Sequence, residues 1–301
     1  MRASLLPIVL AMAVGSASLP APSSGGAEPP YLYASTEVQP GQTLLDIARD
    51  HNLGYVEILA ANPGVDPWIP GDHRTIVLPT VHIPPNAPHK GIVVNVGDMR
   101  LYFYRHGDEM PQTFPIGVGR SGWEVGEAAS TVKGKRHWPI WYVPKSIQAE
   151  HPGLGSEVQA GPDNPLGEYS LDLALPSIRI HGTNKPWGVG RRVSHGCIRL
   201  YPEGIAELFQ EVPIGTPVHI VNQPIKLAWI GDNLWIEAHP EGIQADELED
   251  HLPLTPVTVE GLDAMVETAA GSFASWVDWD AVYTAVAERR GYPVRILTVV
   301  P

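Results

Sequence analysis

Apolar and polar positions along the 301 residues change their period several times, and each change predicts an element. An apolar run from Leu5 to Val14 follows Met1-Arg2-Ala3-Ser4 and leads into Gly15-Ser16-Ala17-Ser18. Residues 18–35 carry no apolar period and read as a linker. Glu37-Val38 enters the turn Gln39-Pro40-Gly41. Thr43, with Asp46 three residues on, then caps a helix whose apolar face is Leu44, Ile47 and Ala48. A second helix is expected over 56–61, stopped by Asn62-Pro63-Gly64, and 75–78 reads as a return strand. Pro84-Pro85-Asn86-Ala87-Pro88 is a stiff linker. Beyond it strand signals dominate: 92–96 and 100–104 around Gly97-Asp98-Met99, then 113–118, 130–133, 177–180 and 217–221. One helix stands out among them, with Pro202 in its first turn and Ile205, Leu208 and Phe209 at helical spacing. A hairpin is expected from 226–230 and 234–238 across Gly231-Asp232-Asn233, and one more helix around 279–290. The pattern therefore predicts a small α+β unit over 37–80, ordered strand-helix-helix-strand. A mostly-β unit with one main helix follows over 91–222, then a hairpin and a tail of unassigned role over 223–301.

Composition sharpens this picture in three places. Thirty glycines and 31 prolines suit a turn-rich β protein, and charged residues are 18% against the ~25% usual for soluble domains. The balance of 33 acidic to 20 basic residues, a formal charge of −13, argues against a nucleic-acid or anionic-lipid partner. The N-terminal pattern of one positive charge, a short apolar run and small residues reads as a secretory signal peptide within 1–27. The run is shorter than the ~20 residues needed to span a bilayer, although an uncleaved anchor is the alternative. No cysteine follows it, which excludes a lipid-modified N-terminus there, and no second transmembrane candidate is visible. The mature protein is expected to be exported, with no integral membrane span.

Cys197 is the only cysteine, so no disulfide can form within the chain. In an oxidising compartment a lone thiol is either a small buried hydrophobe or a reactive group. Its neighbours bear on the choice: Ile180-His181-Gly182-Thr183 and Val193-Ser194-His195-Gly196-Cys197-Ile198-Arg199-Leu200. A nucleophilic cysteine needs a base for its proton and backbone N–H groups for the developing oxyanion, and glycines let the chain turn tightly enough to aim them. Spacing leaves three alternatives open: a Cys/His/His zinc site, ordinary core packing, and chance clustering among twelve histidines.

Two resemblances add to this reading. The run Val38-Gln39-Pro40-Gly41-Gln42-Thr43-Leu44-Leu45-Asp46-Ile47-Ala48, with Ile58-Leu59-Ala60-Ala61-Asn62-Pro63, Ile69-Pro70-Gly71 and Ile76-Val77-Leu78-Pro79, resembles a LysM domain. That implies binding of N-acetylglucosamine-containing glycans such as peptidoglycan; a spacer without glycan affinity is the alternative. Ile180-His181-Gly182, a loop, and Ser194-His195-Gly196-Cys197-Ile198-Arg199 resemble the signature of the YkuD-type L,D-transpeptidases. So do the blocks Ile92-Val93-Val94-Asn95 through Met99-Arg100-Leu101-Tyr102, Phe114 to Gly119, and Asn164-Pro165-Leu166-Gly167. The combination with LysM and the 226–238 hairpin is similar to the periplasmic Gram-negative subgroup.

What the second resemblance implies is specific. The fold would be a β-sandwich-like catalytic domain. Cys197 would be the nucleophile and His181 the base, oriented by a nearby backbone carbonyl such as that of Gly182. His195, Gly196 and Cys197 would supply oxyanion N–H groups. Ser194 and Arg199 would shape the substrate pocket, and Trp187 and Arg192 would contact substrate. No metal or cofactor is implied. The expected partners are peptidoglycan stem peptides and glycan strands, with an outer-membrane lipoprotein lysine or a diaminopimelate amine as acyl acceptor. An L,D-carboxypeptidase using water, or a non-catalytic wall-binding protein, are the rival readings. One departure is visible: Gly122-Trp123-Glu124 leads into Val125-Gly126-Glu127-Ala128-Ala129, where the family often has Thr-Pro-x-Gly.

Overall fold

The computed structural model describes residues 30–105 and 110–299, so the signal peptide expected over 1–27 lies outside the described residues. In the N-terminal unit β1 (Ala34–Glu37) pairs antiparallel with β2 (Thr75–Leu78), and α1 (Leu44–Asp50) and α2 (Tyr55–Ala61) lie between them in sequence. The expected capping box is formed: Asp46 N donates to Thr43 Oγ1 at 3.2 Å, and Thr43 N donates to Asp46 Oδ2 at 2.9 Å. Leu44, Ile47, Leu53, Ile58 and Ile76 make a buried core of their own.

The central unit contains β3 (Gly91–Asn95), β4 (Arg100–Tyr104), β5 (Gln112–Pro115), β6 (Val118–Gly119), β7 (Ala128–His137), β8 (Trp141–Tyr142), α3 (Lys145–Glu150), β9 (Glu157–Val158), β10 (Tyr169–Leu173), β11 (Arg179–His181), β12 (Arg192–Ser194), β13 (Ile198–Arg199), α4 (Pro202–Glu211) and β14 (Pro217–Val221). The mostly-β expectation holds, and the main strands form a continuous curled mixed sheet. Its order is β13-β11-β10-β7-β14-β3-β4-β5. Pairing is antiparallel except at β14 with β3 and β11 with β13. The amphipathic α4 buries Ile205 and Leu208 against the sheet's apolar face, together with Ile92, Leu101, Leu171 and Ile198.

The segment beyond residue 222 differs most from expectation. The hairpin forms as β15 (Ile225–Ile230) and β16 (Asn233–Ala238), but the tail continues through α5 (Ile243–Glu249), α6 (Leu262–Ala270) and α7 (Trp279–Glu288) to β17 (Val294–Thr298). β17 returns to pair with β16, closing a three-stranded sheet. Leu234, Ile236, Val266, Val282 and Ile296 are buried together behind it, so this segment has a folded core of its own. Among the described residues no helix is long and apolar enough to cross a membrane.

The units are joined by buried charge. Lys226 Nζ donates to Asp98 Oδ2 (2.7 Å), Glu237 Oε1 (2.9 Å) and Tyr102 OH (3.0 Å). Nearby, Arg100 Nη2 donates to Glu57 Oε2 at 2.7 Å, and His239 Nε2 lies 2.5 Å from Glu237 Oε1. Burial lowers the Lys226 pKa, but the charges of Asp98 and Glu237 outweigh it and leave it raised. Burial likewise opposes Glu237, yet Lys226, the hydrogen bond with His239 and the nearby His82 hold it well below the carboxylate range. The linker is fastened as well: Asn86 N donates to Gln223 Oε1 at 2.7 Å.

Candidate active site

Strand alternation explains how the predicted site residues meet. β11 and β13 run parallel, with Ile180 opposite Ile198 and His181 opposite Arg199. Successive side chains point to opposite faces, so Ile180 and Ile198 enter the core while Arg179, His181, Cys197 and Arg199 share the other face. Between His195 and Cys197 the chain turns through Gly196 at φ +91°, a conformation that favours glycine. A second close approach packs the 164–167 turn on the His181 loop, where a Cβ on Gly167 would lie 2.7 Å from Thr183 N.

Hydrogen bonds then orient the groups. His181 Nδ1 lies 2.5 Å from Gly182 O. A carbonyl only accepts, so Nδ1 carries the proton and Nε2 keeps its lone pair. Ser194 is buried, and its Oγ donates to Cys197 O at 2.6 Å, closing the turn around the thiol. The Cys197 Sγ faces Ser177 O at 3.6 Å. His195 Nε2 lies 3.1 Å from Glu150 Oε2 and 3.2 Å from Arg120 Nη2, with the Trp123 ring edge-on at 5.0 Å.

Burial dominates the electrostatics. It pushes the His181 pKa down to about 3, with the Arg199 charge acting in the same direction. It pushes the Cys197 thiol up, against the pull of Arg179 and Arg199. Thiol and imidazole are therefore both neutral at rest. A stability consequence follows with a definite sign. Between the ordinary value of 6.5 and about 3, the unfolded chain binds a proton that folded His181 refuses. Stability falls as pH falls through that window, by up to ~1.4 kcal/mol per pH unit from this group. Denaturant titrations from pH 7 to 4 will show a flatter decline for His181→Gln than for the wild type.

Arg199 is mostly buried, its pKa lowered by burial, and it forms no ion pair among the described residues. Arg192 is engaged instead: Nη1 donates to Asp246 Oδ2 at 3.1 Å and Nη2 to Glu124 Oε1 at 3.3 Å. Trp187, on a 3-10 turn at Pro186–Gly188, is 56% exposed and lines a groove with Trp68, Tyr55 and Tyr201. A zinc site would need Cys197 and the two histidines to converge. Among the described residues the converging donor groups are Glu150 with His151 and His195, and Asp98 with Glu237 and His239. Sequence reasoning missed Arg179, Arg120 and Glu150. Arg179 was within reach, two residues before His181 on the same strand face, whereas Arg120 and Glu150 carry no local signal.

Comparison with known proteins agrees with this arrangement. The YkuD family, the L,D-transpeptidase catalytic domain, matches residues 89–220. The probable L,D-transpeptidase YcfS of Escherichia coli K12 is 34% identical over 272 residues, covering 85% of this chain and 81% of the relative. The probable L,D-transpeptidase ErfK/SrfK of Salmonella typhimurium LT2 is 36% identical, covering 85% and 82%. The probable L,D-transpeptidase YbiS of Escherichia coli K12 is 35% identical, covering 85% and 83%. Relatives so similar over most of both lengths, with the motif folded around one thiol, settle the affiliation: the chain belongs to the L,D-transpeptidase family.

Proposed function

We propose that the protein is a cysteine acyltransferase of the peptidoglycan layer, acting on tetrapeptide stems and transferring the acyl group to an amine. The observation that carries this reading is the His181 ring, locked by Gly182 O with Nε2 unprotonated, on the strand face it shares with Cys197. Sγ attacks the carbonyl between stem residues three and four as its proton passes to His181 Nε2. The tetrahedral oxyanion is met by backbone N–H groups of His195, Gly196 and Cys197. Collapse breaks the C–N bond, and the departing D-alanine amine takes the proton from His181, leaving a thioester on Cys197. An acceptor amine then attacks, gives its proton to His181, and expels sulfur, which is reprotonated. Because burial opposes a standing imidazolium, the proton moves only as the S–C bond forms.

The remaining assignments belong to the same proposal. Arg199, a cation with no carboxylate partner among the described residues, binds a substrate carboxylate, and Ser194 holds the loop. The unit at 37–80 acts as a LysM glycan-binding domain that keeps the 91–222 catalytic unit on its polymer. The setting is the periplasm, reached through a signal peptide within 1–27. The acceptor is an outer-membrane lipoprotein lysine or a diaminopimelate amine.

Mass spectrometry tests this directly. The protein is incubated with a tetrapeptide stem, with and without an amine acceptor. A Cys197 acyl adduct, free D-alanine and a new amide in the presence of the amine are the expected result. Tripeptide alone in both arms would replace transfer with hydrolysis. No adduct and no D-alanine would leave a wall-binding protein.

A further inference from the structure

Arg191 and Arg192 stand just before the Ser194-His195-Gly196-Cys197 run, and adjacent residues of extended chain point to opposite faces. Both are nevertheless met by carboxylates of one short helix, α5. Arg191 Nε donates to Glu249 Oε2 at 2.7 Å, Nη2 reaches the same oxygen, and the guanidinium lies 4.9 Å from the Tyr55 ring centroid. Arg192 reaches Asp246 and Glu124 as described. Asp246 and Glu249 are three residues apart, so they are neighbours on one helix surface. The Arg192 and Glu249 side chains are only 11% and 13% exposed.

The helix is itself held firmly. Ala245 joins the core of the central unit, with Leu248 packed against it. The Thr255 backbone is tied to the helix as well: the buried Gln244 donates through Nε2 to Thr255 O at 2.8 Å, and Glu247 accepts from Thr255 N at 2.7 Å. The opposite edge of the same stretch is fixed by backbone bonds. Gly190 N donates to Ile116 O (3.2 Å), Val118 N to Arg191 O (2.9 Å) and Arg120 N to Ser194 O (3.0 Å). The backbone over 190–194 is thus gripped between the 116–120 segment and a helix that comes from beyond residue 240.

We propose that α5 is a positioning element for the reaction: Asp246 and Glu249, acting through Arg192 and Arg191, set the backbone that carries His195, Gly196 and Cys197. This rests on the reading of Cys197 as nucleophile. Neither carboxylate touches substrate. Removing their charge leaves the largely buried Arg191 guanidinium without a counter-ion and Arg192 with the exposed Glu124 alone. The arginines then turn toward water and draw the strand with them. A displacement of about 1 Å at a reacting group costs on the order of 10²-fold in rate.

The test uses the full chain with Asp246→Asn and Glu249→Gln combined, and Glu267→Gln on the exposed side of α6 as control. Transfer kinetics are expected to show kcat reduced roughly 10- to 100-fold with KM within about twofold, and the control unchanged. Exchanging charges, Arg191→Glu with Glu249→Arg, is expected to recover most of kcat. Amide hydrogen exchange at 193–197, which needs no substrate, is expected to speed up at least about tenfold in the double variant. Unchanged kcat with unchanged exchange would overturn the proposal, as would a charge exchange that restores nothing. If the wild type forms no Cys197 adduct, the function above fails, while the exchange measurement still decides whether α5 holds the loop.

Discussion

His181→Gln will slow acylation of Cys197 by about 10²–10⁴-fold, the range by which a positioned general base assists proton transfer, with little change in KM. Gln keeps a side-chain amide for the Gly182 carbonyl but has no lone-pair nitrogen to take the thiol proton. Cys197→Ala will abolish adduct formation and D-alanine release altogether. The double variant will be no worse than Cys197→Ala, because groups acting as one unit are not additive. The burial of both groups adds a pH signature. With His181 pushed down to about 3 and the thiol pushed up, acylation by a carbapenem-type reagent will show no inflection near pH 6.5. Stopped-flow or mass-spectrometric adduct rates from pH 5 to 8 provide the check. A clear break near 6.5 would mean a standing thiolate–imidazolium pair and a different geometry.

The largest stability effect is expected at the junction of the three units. Lys226→Met removes the ammonium held by Asp98, Glu237 and Tyr102 and leaves buried carboxylates without their counter-charge. Breaking a buried pair from one side costs ~3–5 kcal/mol. The pH dependence separates this from simple loss of packing. In the wild type Glu237 is held well below the carboxylate range, so its contribution is present above pH ~4.5 and lost in acid. Without Lys226 the carboxyl loses its main support while burial still raises it, so the folded state favours the protonated form. The deficit of the variant will therefore shrink as pH falls from 7 toward 4. Denaturant midpoints at several pH values measure it, and a pH-independent deficit would contradict the role assigned to the charge. Because Lys226 and Glu237 lie beyond residue 222, while Asp98 lies in the β3–β4 turn and Tyr102 on β4, the C-terminal and central cores should unfold together in the wild type.

Much of the site was legible because its signals are local. A Thr43–Asp46 pair closes on itself within one turn, and Pro202 starts a helix wherever its apolar spacing continues. Period-two alternation is enough to set Ile180 and His181 on opposite faces of their strand, and a glycine between a histidine and a cysteine marks a turn, which Gly196 makes at positive φ. Elements that failed this reading are polar sequences buried by distant partners. β10 places Ser170 and Asp172 inside, and Asp172 is tolerated there because Arg136 and Arg179 reach it at 2.6 and 2.9 Å. α5 shows no self-sufficient apolar face, since Ala245 and Leu248 bury against a unit more than a hundred residues earlier in part.

By itself the sequence determined the mostly-β central unit, the small strand-helix-helix-strand unit, the single thiol and the histidine-glycine pairs around it. Tertiary structure alone decided three further matters. It set which imidazole nitrogen is free, through the Gly182 carbonyl. It set that Arg199 lacks a carboxylate partner among the described residues while Arg192 has two. It also showed that the segment after residue 240 folds back onto the loop carrying Cys197. The physical reason is range: caps, turns and strand alternation depend on neighbours a few residues away. Desolvation and ion pairing depend on whatever the finished fold brings alongside, and no local pattern records it.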